Sequence, residues 1–336
     1  MQVIANQSLQ AYNSFGIDAS AKYFAAFASC PQLQELLGDF GQEQRLVLGG
    51  GSNLLFTGDF NGIVLKNELR GMELVAEDEQ HYYVTVQAGE NWHEFVQYCL
   101  QRNYAGLENL SLIPGNAGAS PMQNIGAYGV EIKDVFHSLD AWHIGDRSLQ
   151  TFSLNDCAFG YRESVFKKKY KDQFVILNVT FRLNKVPVFN TGYGVIEQEL
   201  ERIGVTSLSI QAIAEAVIRI RSSKLPDPKK IGNAGSFFKN PIIPTEQYQR
   251  LLGSYADMPG FAAAPSQTKV PAGWLIEKAG WKGYREGDAG CYEKQALVLV
   301  NYGHASGSDI YALSEKIIQS VRERFSIPLE REVNMI

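Results

Sequence analysis

Apolar residues recur along the chain with two different periods. Alternation with a period of two predicts half-buried strands at residues 82–88 and 175–183. Short apolar runs predict two further strands, at residues 45–48 and 62–65. Apolar residues spaced three or four apart predict helices with one apolar face, at residues 32–40, 92–100, 210–220 and 309–325. This mixture of strands and helices predicts an α+β protein.

Two segments interrupt this pattern. Residues 110–130 are rich in Gly, Ala, Asn and Pro but too apolar for a disordered linker, so we predict an ordered loop around a ligand. Residues 221–228 contain two prolines that end the preceding helix, which predicts a domain boundary. We therefore expect three domains. They comprise residues 1–70 together with the tail 326–336, residues 71–220, and residues 221–325.

Composition narrows the class of protein. The 336 residues are 45% hydrophobic and 20% charged, and the net charge of −5 gives no reason to expect nucleic-acid binding. The four cysteines lie far apart and the five histidines lack metal-ligand spacing, so we predict no metal site. No apolar run approaches the ~20 residues of a membrane helix, and the N-terminus lacks the apolar core of a signal peptide. We expect a cytoplasmic protein with no membrane insertion and no evident obligate protein partner.

The first chemical signal is a run of three glycines directly after the strand at residues 45–48. Successive N–H groups of the sequence Gly-Gly-Gly-Ser-Asn, residues 49–53, can turn toward one centre and bind a diphosphate without a lysine. Ser52 and Asn53 can add side-chain hydrogen bonds. The usual dinucleotide fingerprint, Gly-x-Gly-x-x-Gly, is absent. A plain tight turn is an equally good interpretation of three glycines alone.

A second glycine-rich loop, residues 113–131, has small residues that permit close approach to something large and flat. Two such loops in this order resemble the FAD-binding fold shared by vanillyl-alcohol-oxidase and p-cresol-methylhydroxylase type flavoproteins. More narrowly, they resemble the UDP-N-acetylenolpyruvoylglucosamine reductases, also called UDP-N-acetylmuramate dehydrogenases. The resemblance extends over residues 15–332, nearly the whole chain.

The resemblance implies a two-part FAD-binding fold with a smaller α+β substrate domain. FAD is expected between the first two domains, with NADPH as hydride donor, and the third domain is expected to close over the UDP-sugar. The product would be UDP-N-acetylmuramate, a peptidoglycan precursor. Neither loop contains His or Cys, so the FAD is expected to be non-covalent. The implied cofactor-binding residues are Gly49, Gly50, Gly51, Ser52, Asn53, Pro114, Gly115, Ala117, Gly118, Ser120, Gln123, Asn124, Ile125, Gly126 and Tyr128.

Three residues match the catalytic positions of the resembled family. Ser236, in Gly-Ser-Phe-Phe-Lys-Asn-Pro, is implied as the proton donor, although a lone serine there would more often cap a turn. Arg162, in Tyr-Arg-x-Ser, is implied as an active-site residue, although a single arginine is usually a surface ion-pair partner. Glu332 is implied to polarise the substrate carboxylate. Arg331 stands where that family commonly has proline, and Glu330 is the alternative carboxylate.

The resemblance also implies residues for substrate binding. A tyrosine on a mobile loop matches Tyr193 and defines a subtype with a tyrosine lid. For the lysines in this set, a solvated surface position is the stronger interpretation without the resemblance. The implied substrate-binding residues are Tyr161, Tyr193, Lys224, Asn240, Lys282 and Gln295.

Two alternatives remain open. One is a flavin oxidoreductase of the same superfamily that acts on an alcohol or a phenol, which would lack the matched serine, arginine and terminal glutamate. The other is a non-enzymatic relative that binds a UDP-sugar or stores flavin, which should have lost one of them. All three are present.

The purified protein is expected to be yellow, because both glycine-rich loops are predicted to bind FAD. Heat or acid should release the flavin, since neither loop offers a His or Cys for a covalent bond. The measurement is the absorbance spectrum of the supernatant after denaturation. Flavin that sediments with the denatured chain would contradict the non-covalent assignment.

Overall fold

The computed structural model describes residues 2–336, which contain seven α-helices and twenty strands. The helices are α1 Cys30–Asp39, α2 Trp92–Gln101, α3 Val195–Arg202, α4 Ile210–Lys224, α5 Thr245–Leu252, α6 Ala272–Lys278 and α7 Gly307–Phe325. The strands are β1 Val3–Ser8, β2 Ser20–Phe27, β3 Arg45–Leu48, β4 Leu54–Leu55, β5 Phe60–Asn67, β6 Met72–Glu77, β7 His81–Gln87, β8 Gly126–Ala127, β9 Val130–Glu131, β10 Phe136–His143, β11 Ser148–Ser153, β12 Phe174–Asn184, β13 Gly232–Ser236, β14 Ile242–Pro244, β15 Phe261–Ala264, β16 Gln267–Lys269, β17 Arg285–Glu286, β18 Ala289–Cys291, β19 Val298–Asn301 and β20 Asn334–Met335.

The chain divides into two compact units. The first contains the segment up to Gln7, Ala21–Gly50 and Asn61–Ser223. The second contains Ser8–Ser20, Gly51–Phe60 and Lys224–Ile336. The predicted boundary after residue 220 lies close to the change of unit after Ser223. The predicted boundary after residue 70 lies inside the first unit, and the three-domain division stays a prediction.

The first unit contains two larger sheets. One has the order β1-β2-β5-β3, with β3 parallel to β5. Helix α1 shares a buried core with this sheet through Leu33, Leu36 and Leu37. Ser29 caps α1 by accepting a hydrogen bond from the Gln32 N–H, with proline in the first turn. An apolar stripe and a good cap thus explain why this segment is a helix.

The other sheet of the first unit is antiparallel, with the order β11-β10-β12-β7-β6. Helix α2 packs on it through Trp92 and Phe95, whose rings lie 5.7 and 5.4 Å from the ring of Phe181 on β12. The Trp92 indole N–H also donates to the carbonyl of Leu110 at 2.9 Å. A buried aromatic cluster therefore holds the chain just before the second glycine-rich loop.

The second unit is built around an antiparallel sheet of order β13-β19-β18-β17. A three-stranded sheet, β14-β16-β15, and a short parallel pair of β20 with β4 complete its strands. Helix α7 begins with a capping box in which Ser306 and Asp309 each bond the other's backbone N–H. The ring of Phe15 lies 6.2 Å from that of Phe237, so an early segment of the chain helps to form this core.

The structure confirms the predicted α+β class and most predicted elements. Strand β3 has the predicted bounds, whereas α7 begins two residues before the prediction because its capping box lies at residues 306–309. Helix α4 continues to Lys224, past the predicted end at residue 220. Cys99 is fully buried in the apolar face of α2, and all four cysteines are free thiols. Within residues 2–336, no helix has the length and apolarity needed to cross a membrane, and no group of three His, Cys, Asp or Glu side chains is arranged to hold a metal ion.

Candidate active site

The second glycine-rich loop is held against the turn that follows β7. The N–H of Gly118 donates to the carbonyl of Ala88 at 3.0 Å, and that of Ala117 donates to the carbonyl of Glu90 at 2.8 Å. A Cβ added at Gly118 would lie 2.4 Å from the Cβ of Ala88. The close approach requires glycine, because any side chain would push the loop off the sheet.

The end of the loop is a small hairpin formed by β8 and β9. Tyr128 and Gly129 occupy its turn with φ angles of +50° and +84°. Two positive φ angles in a two-residue hairpin turn are typical of type I′, which usually takes Asn-Gly. A tyrosine held in this conformation is strained, and such strain concentrates at functional sites.

Asn124 organises the interior of this loop. Its amide is fully buried and donates to a carboxylate oxygen of Glu131 at 2.9 Å and to the carbonyl of Gly160 at 3.0 Å. Its oxygen accepts from the N–H of Lys133 at 3.2 Å. The Asn124 side chain, implied by the resemblance to bind the cofactor, is thus engaged in shaping the loop.

The first glycine-rich segment meets the second loop within the first unit. A Cβ at Gly50 would lie 2.8 Å from the Cα of Gly115 and 2.9 Å from Oδ1 of Asn116. Lys66, on the neighbouring strand β5, donates to the carbonyl of Gly49 at 2.6 Å. Burial lowers the pKa of the Lys66 amine from its ordinary value. Lys66 lies beside the predicted diphosphate-binding glycines and was not among the residues predicted from the sequence.

The second part of the glycine segment belongs to the second unit. Gly51 has a φ of +63°, and a Cβ there would lie 2.0 Å from the carbonyl oxygen of Tyr12. Asn53 accepts from the N–H of Asn334 at 3.1 Å, so this segment also anchors the C-terminal tail. Ser52 is half-buried between them.

Arg162 lies in a tight turn of the first unit. Gly160 and Glu163 exchange two backbone hydrogen bonds across it, and Arg162 has a φ of +57°. The guanidinium donates to the carbonyl of Gly126 at 2.6 Å and lies 5.4 Å from the ring of Tyr161. The turn therefore holds the predicted arginine against the second glycine-rich loop, with the predicted tyrosine beside the guanidinium.

Arg221 is a residue that the sequence analysis missed. Its Nε donates to the carbonyl of Leu112 at 3.3 Å, and its guanidinium also bonds the hydroxyl of Tyr128. One side chain thus links the residue before the loop to the hairpin at its end. Burial lowers the pKa of this guanidinium, and the positive charge of Arg162 acts in the same direction.

A sequence signal for Arg221 existed. It follows the buried Val217 by four residues, so helical periodicity places it at the edge of the buried face of α4. Its partners are a carbonyl and a hydroxyl rather than a carboxylate. A half-buried cation with such neutral partners favours an anionic or electron-rich ligand nearby.

In the second unit, Ser236 follows a bulge in β13. Pairing with β19 is regular at Asn233 and resumes at Ser236, where it lies opposite Val298. Gly235, within the bulge, has a φ of +68° that glycine adopts without strain. Ser236 is exposed whereas Phe237 after it is fully buried. The bulge therefore leaves the serine hydroxyl accessible above an apolar wall.

Asn233 holds this bulge in place. Its side-chain amide donates to the carbonyls of Pro226 and Ile231 at 3.1 and 2.9 Å, and its oxygen accepts from the N–H of Gly235 at 3.0 Å. Its own backbone carbonyl accepts from the hydroxyl of Ser14 at 2.6 Å. It is another residue that the sequence analysis did not select.

The tail brings Glu332 next to Ser236. The Glu332 N–H donates to the carbonyl of Phe237 at 2.8 Å, and Phe238 pairs with Arg331. Glu330, the alternative carboxylate, instead forms an ion pair with Lys239. Two of the three predicted catalytic residues thus lie together in one unit, and Arg162 belongs to the other.

The remaining predicted residues occupy varied settings. Asn240 accepts from the Ala272 N–H at 2.9 Å and so begins α6, and Gln295 accepts from the Leu297 N–H at 3.3 Å. Lys282 pairs with Glu277 at 3.0 Å on the surface. Lys224 is exposed at the end of α4.

Tyr193 lies on a loop of the first unit. Its side chain is 48% exposed, and its ring meets that of Tyr128 edge to face at 5.7 Å. Asn109 fixes the base of this loop by donating to the carbonyls of Asn190 and Tyr128 at 2.8 and 3.2 Å. Tyr193 is thus free on one side and connected to the glycine-rich hairpin on the other.

These features fit a flavin dinucleotide. The backbones at Gly50 and Gly115 approach closely beside Gly49, and backbone N–H groups in such glycine segments can bind a diphosphate, while Lys66 supplies nearby positive charge. The small residues of the second loop and the half-buried Arg221 suit a flat, electron-rich ring system.

Comparison with known proteins agrees with this assignment. A family model described as FAD binding domain matches residues 21–151. A second, described as UDP-N-acetylenolpyruvoylglucosamine reductase, C-terminal domain, matches residues 227–336. The fold and the site define an FAD-dependent oxidoreductase.

Curated relatives specify the family. UDP-N-acetylenolpyruvoylglucosamine reductases from Flavobacterium johnsoniae and Amoebophilus asiaticus are 47% and 48% identical, each over 100% of both chains. The enzyme from Pseudomonas putida is 49% identical over 98% of this chain and 97% of its own. The chain belongs to the UDP-N-acetylenolpyruvoylglucosamine reductase family. A crystal structure of the Thermus caldophilus enzyme shares the fold, with a TM-score of 0.67 at 22% identity over 99% and 98% of the two chains.

Replacing Asn233 by alanine should destabilise the protein. The change leaves two carbonyls and the Gly235 N–H without their partner, and each such loss costs about 1–3 kcal/mol when buried. We expect a fall of about 2 kcal/mol or more in the free energy of unfolding, measured by urea denaturation. Asn61→Ala, at an exposed position on β5, is the control and should change little. Equal stability of the two variants would mean that the bulge does not depend on Asn233.

Proposed function

We propose that the protein catalyses the NADPH-dependent, FAD-mediated reduction of UDP-N-acetylenolpyruvoylglucosamine to UDP-N-acetylmuramate, in the cytoplasm, as a step of peptidoglycan precursor synthesis. The observation that carries the proposal is the hydrogen bond from the Glu332 N–H to the carbonyl of Phe237, the residue directly after Ser236. Family membership supports the reduction of the enolpyruvyl group. When bound, FAD supplies a carrier that takes a hydride from NADPH and later gives it to the substrate alkene.

The substrate chemistry defines what the side chains must do. A hydride adds to the terminal alkene carbon, and negative charge builds on the neighbouring carbon and the attached carboxylate. That carbon must then receive a proton, so one hydride and one proton saturate the double bond. The site therefore needs a proton donor near the second carbon and polar partners for the carboxylate.

Ser236 is proposed as the proton donor. Its hydroxyl is accessible, whereas Phe237 and Phe238 behind it are buried and keep water from that side. A serine hydroxyl is a weak acid, so it serves only when held against a strongly basic carbanion in a dry site. The bulge held by Asn233 gives the fixed placement that this role requires.

Arg162 and Glu332 are proposed to act on the substrate carboxylate. A guanidinium can form two parallel hydrogen bonds to a carboxylate, which orients it and stabilises its growing charge. The strained backbone of Arg162 is consistent with selection for placement rather than stability. Glu332 is proposed to polarise the carboxylate.

The UDP-sugar is proposed to bind through Tyr161, Tyr193, Lys224, Asn240, Lys282 and Gln295. Lysines attract the diphosphate, and amide and aromatic side chains suit the uracil. Asn240 and Gln295 accept backbone hydrogen bonds through their side-chain oxygens, which leaves their NH2 groups facing away as potential donors. A decrease in NADPH absorbance that depends on the enolpyruvyl substrate would test the activity directly.

Ser236→Ala should separate the two half-reactions. Reduction of the flavin by NADPH needs no proton from this serine and should continue. Reoxidation of the reduced enzyme by the substrate should slow by ~10²–10⁴-fold, the usual value of general acid catalysis. Ser236→Cys should retain more activity, because a thiol can still donate a proton. The measurement is stopped-flow mixing of reduced enzyme with substrate, and near wild-type reoxidation of the alanine variant would remove Ser236 from this role.

Tyr193→Phe tests the proposed lid. The variant keeps the edge-to-face packing on Tyr128 but loses the hydroxyl, so flavin reduction by NADPH should be nearly unchanged. The concentration of UDP-sugar needed for half-maximal rate should rise. Steady-state and stopped-flow kinetics measure the two effects, and an equal loss in both half-reactions would contradict a lid that acts on the UDP-sugar.

A further inference from the structure

The C-terminal tail runs antiparallel to the segment after Ser236. Lys239 donates its N–H to the carbonyl of Glu330 at 2.9 Å, and Glu332 donates to the carbonyl of Phe237 at 2.8 Å. Arg331 lies between these two bonds, opposite Phe238. The ladder therefore uses the backbone of the residues on either side of Arg331 and does not need the Arg331 N–H.

The Arg331 side chain is held by helix α7. Its Nε donates to the hydroxyl of Ser314 at 2.8 Å, and one terminal nitrogen donates to a carboxylate oxygen of Glu315 at 2.6 Å. The guanidinium also lies 4.4 Å from the ring centre of Tyr311. Ser314 is fully buried and donates to the Tyr311 carbonyl at 2.6 Å, so the acceptor is itself fixed.

The rest of the tail is attached through its backbone. Strand β20 pairs with β4, and the carbonyl of Ile336 accepts from the N–H of Thr57 at 2.9 Å. Glu332 lies between this strand pair and the ladder at Phe238. Side chains alternate along an extended chain, so fixing the direction of the Arg331 side chain fixes that of Glu332 next to it.

We propose that Arg331 is a positioning residue that directs Glu332 toward the substrate by anchoring the tail to α7. The inference rests on the proposed function, because it assumes that Glu332 acts on the substrate. In this chain the Arg331 side chain anchors the tail at the position where the resembled family commonly has a proline. The ring of a proline at position 331 would restrict the same stretch of backbone. Proline has no N–H, and the ladder does not use the N–H of residue 331, so the ladder could form with proline there.

Four variants of the FAD-bound protein test the proposal. Arg331→Ala removes the anchor, and Arg331→Pro replaces it with a rigid backbone. Glu315→Gln weakens the charged part of the anchor while keeping its shape. Lys316→Ala is the matched control, since Lys316 lies on the same helix but pairs with Glu286 at 2.6 Å.

The expected result is a selective loss. Arg331→Ala should slow reoxidation by the enolpyruvyl substrate by roughly 10- to 100-fold, because small misplacements of a reacting group have effects of this order. Flavin reduction by NADPH should stay within about twofold of wild type, since that step needs no contribution from Glu332. Glu315→Gln should give a smaller loss, and Arg331→Pro should recover most of the rate lost in Arg331→Ala. Lys316→Ala should leave both steps unchanged.

Hydrogen exchange provides a readout that does not depend on turnover. The N–H groups of Glu332 and Asn334 should exchange faster in Arg331→Ala but not in Lys316→Ala. If wild-type protein is not reoxidised by the substrate, the proposed function fails, while the exchange data still decide whether Arg331 anchors the tail.

Three outcomes would overturn the proposal. One is unchanged reoxidation and unchanged exchange in Arg331→Ala. Another is an equal slowing of both half-reactions with a lower melting temperature, which would mark Arg331 as a general stabilising residue. The third is normal exchange protection in Arg331→Pro with no recovery of rate, which would mean that the arginine charge itself acts in the reaction.

Discussion

The hydrogen bonds of the Asn233 side chain are the constraint on which the predicted proton-donor site depends. They give hydrogen-bond partners to backbone groups around the bulge that would otherwise be buried and unpaired. The bulge leaves Ser236 exposed while Phe237 stays in the core. The carbonyl of Phe237 is then available to the tail, which places Glu332 beside the serine. One amide thus determines the geometry of two residues that are far apart in sequence.

In the first unit, the predicted cofactor loops are held together by close approach of backbone segments at glycines. Gly50 and Gly118 lie where any Cβ would collide with a neighbouring segment. Polar side chains inside the unit, such as Asn124, are occupied in shaping loops, whereas the cations Lys66 and Arg221 bond only neutral oxygens. This distribution suits a large anionic cofactor, since both cations donate hydrogen bonds to neutral oxygens of the protein.

The elements and several site residues were predictable because they depend on local patterns. Apolar periodicity located β3, α2 and α7 within a few residues, and the glycine runs indicated cofactor loops. The roles of Ser236, Arg162 and Glu332 came from resemblance rather than from spacing, and they stay predictions. Asn233 was missed because its role depends on a bulge in β13 that has no distinctive local pattern, and Arg221 because its only signal is a position at the edge of the buried face of α4.

The sequence by itself determined the α+β class, the flavoprotein family and the positions of the two glycine-rich loops. Only the tertiary structure decided that Glu330 pairs with Lys239 while Glu332 lies beside Ser236. Only the structure, too, showed that Arg331 is bound by α7 instead of lying free in a loose tail. The physical reason is that hydrophobic periods and glycine runs act over a few residues, whereas these contacts join segments whose meeting depends on how the whole unit packs.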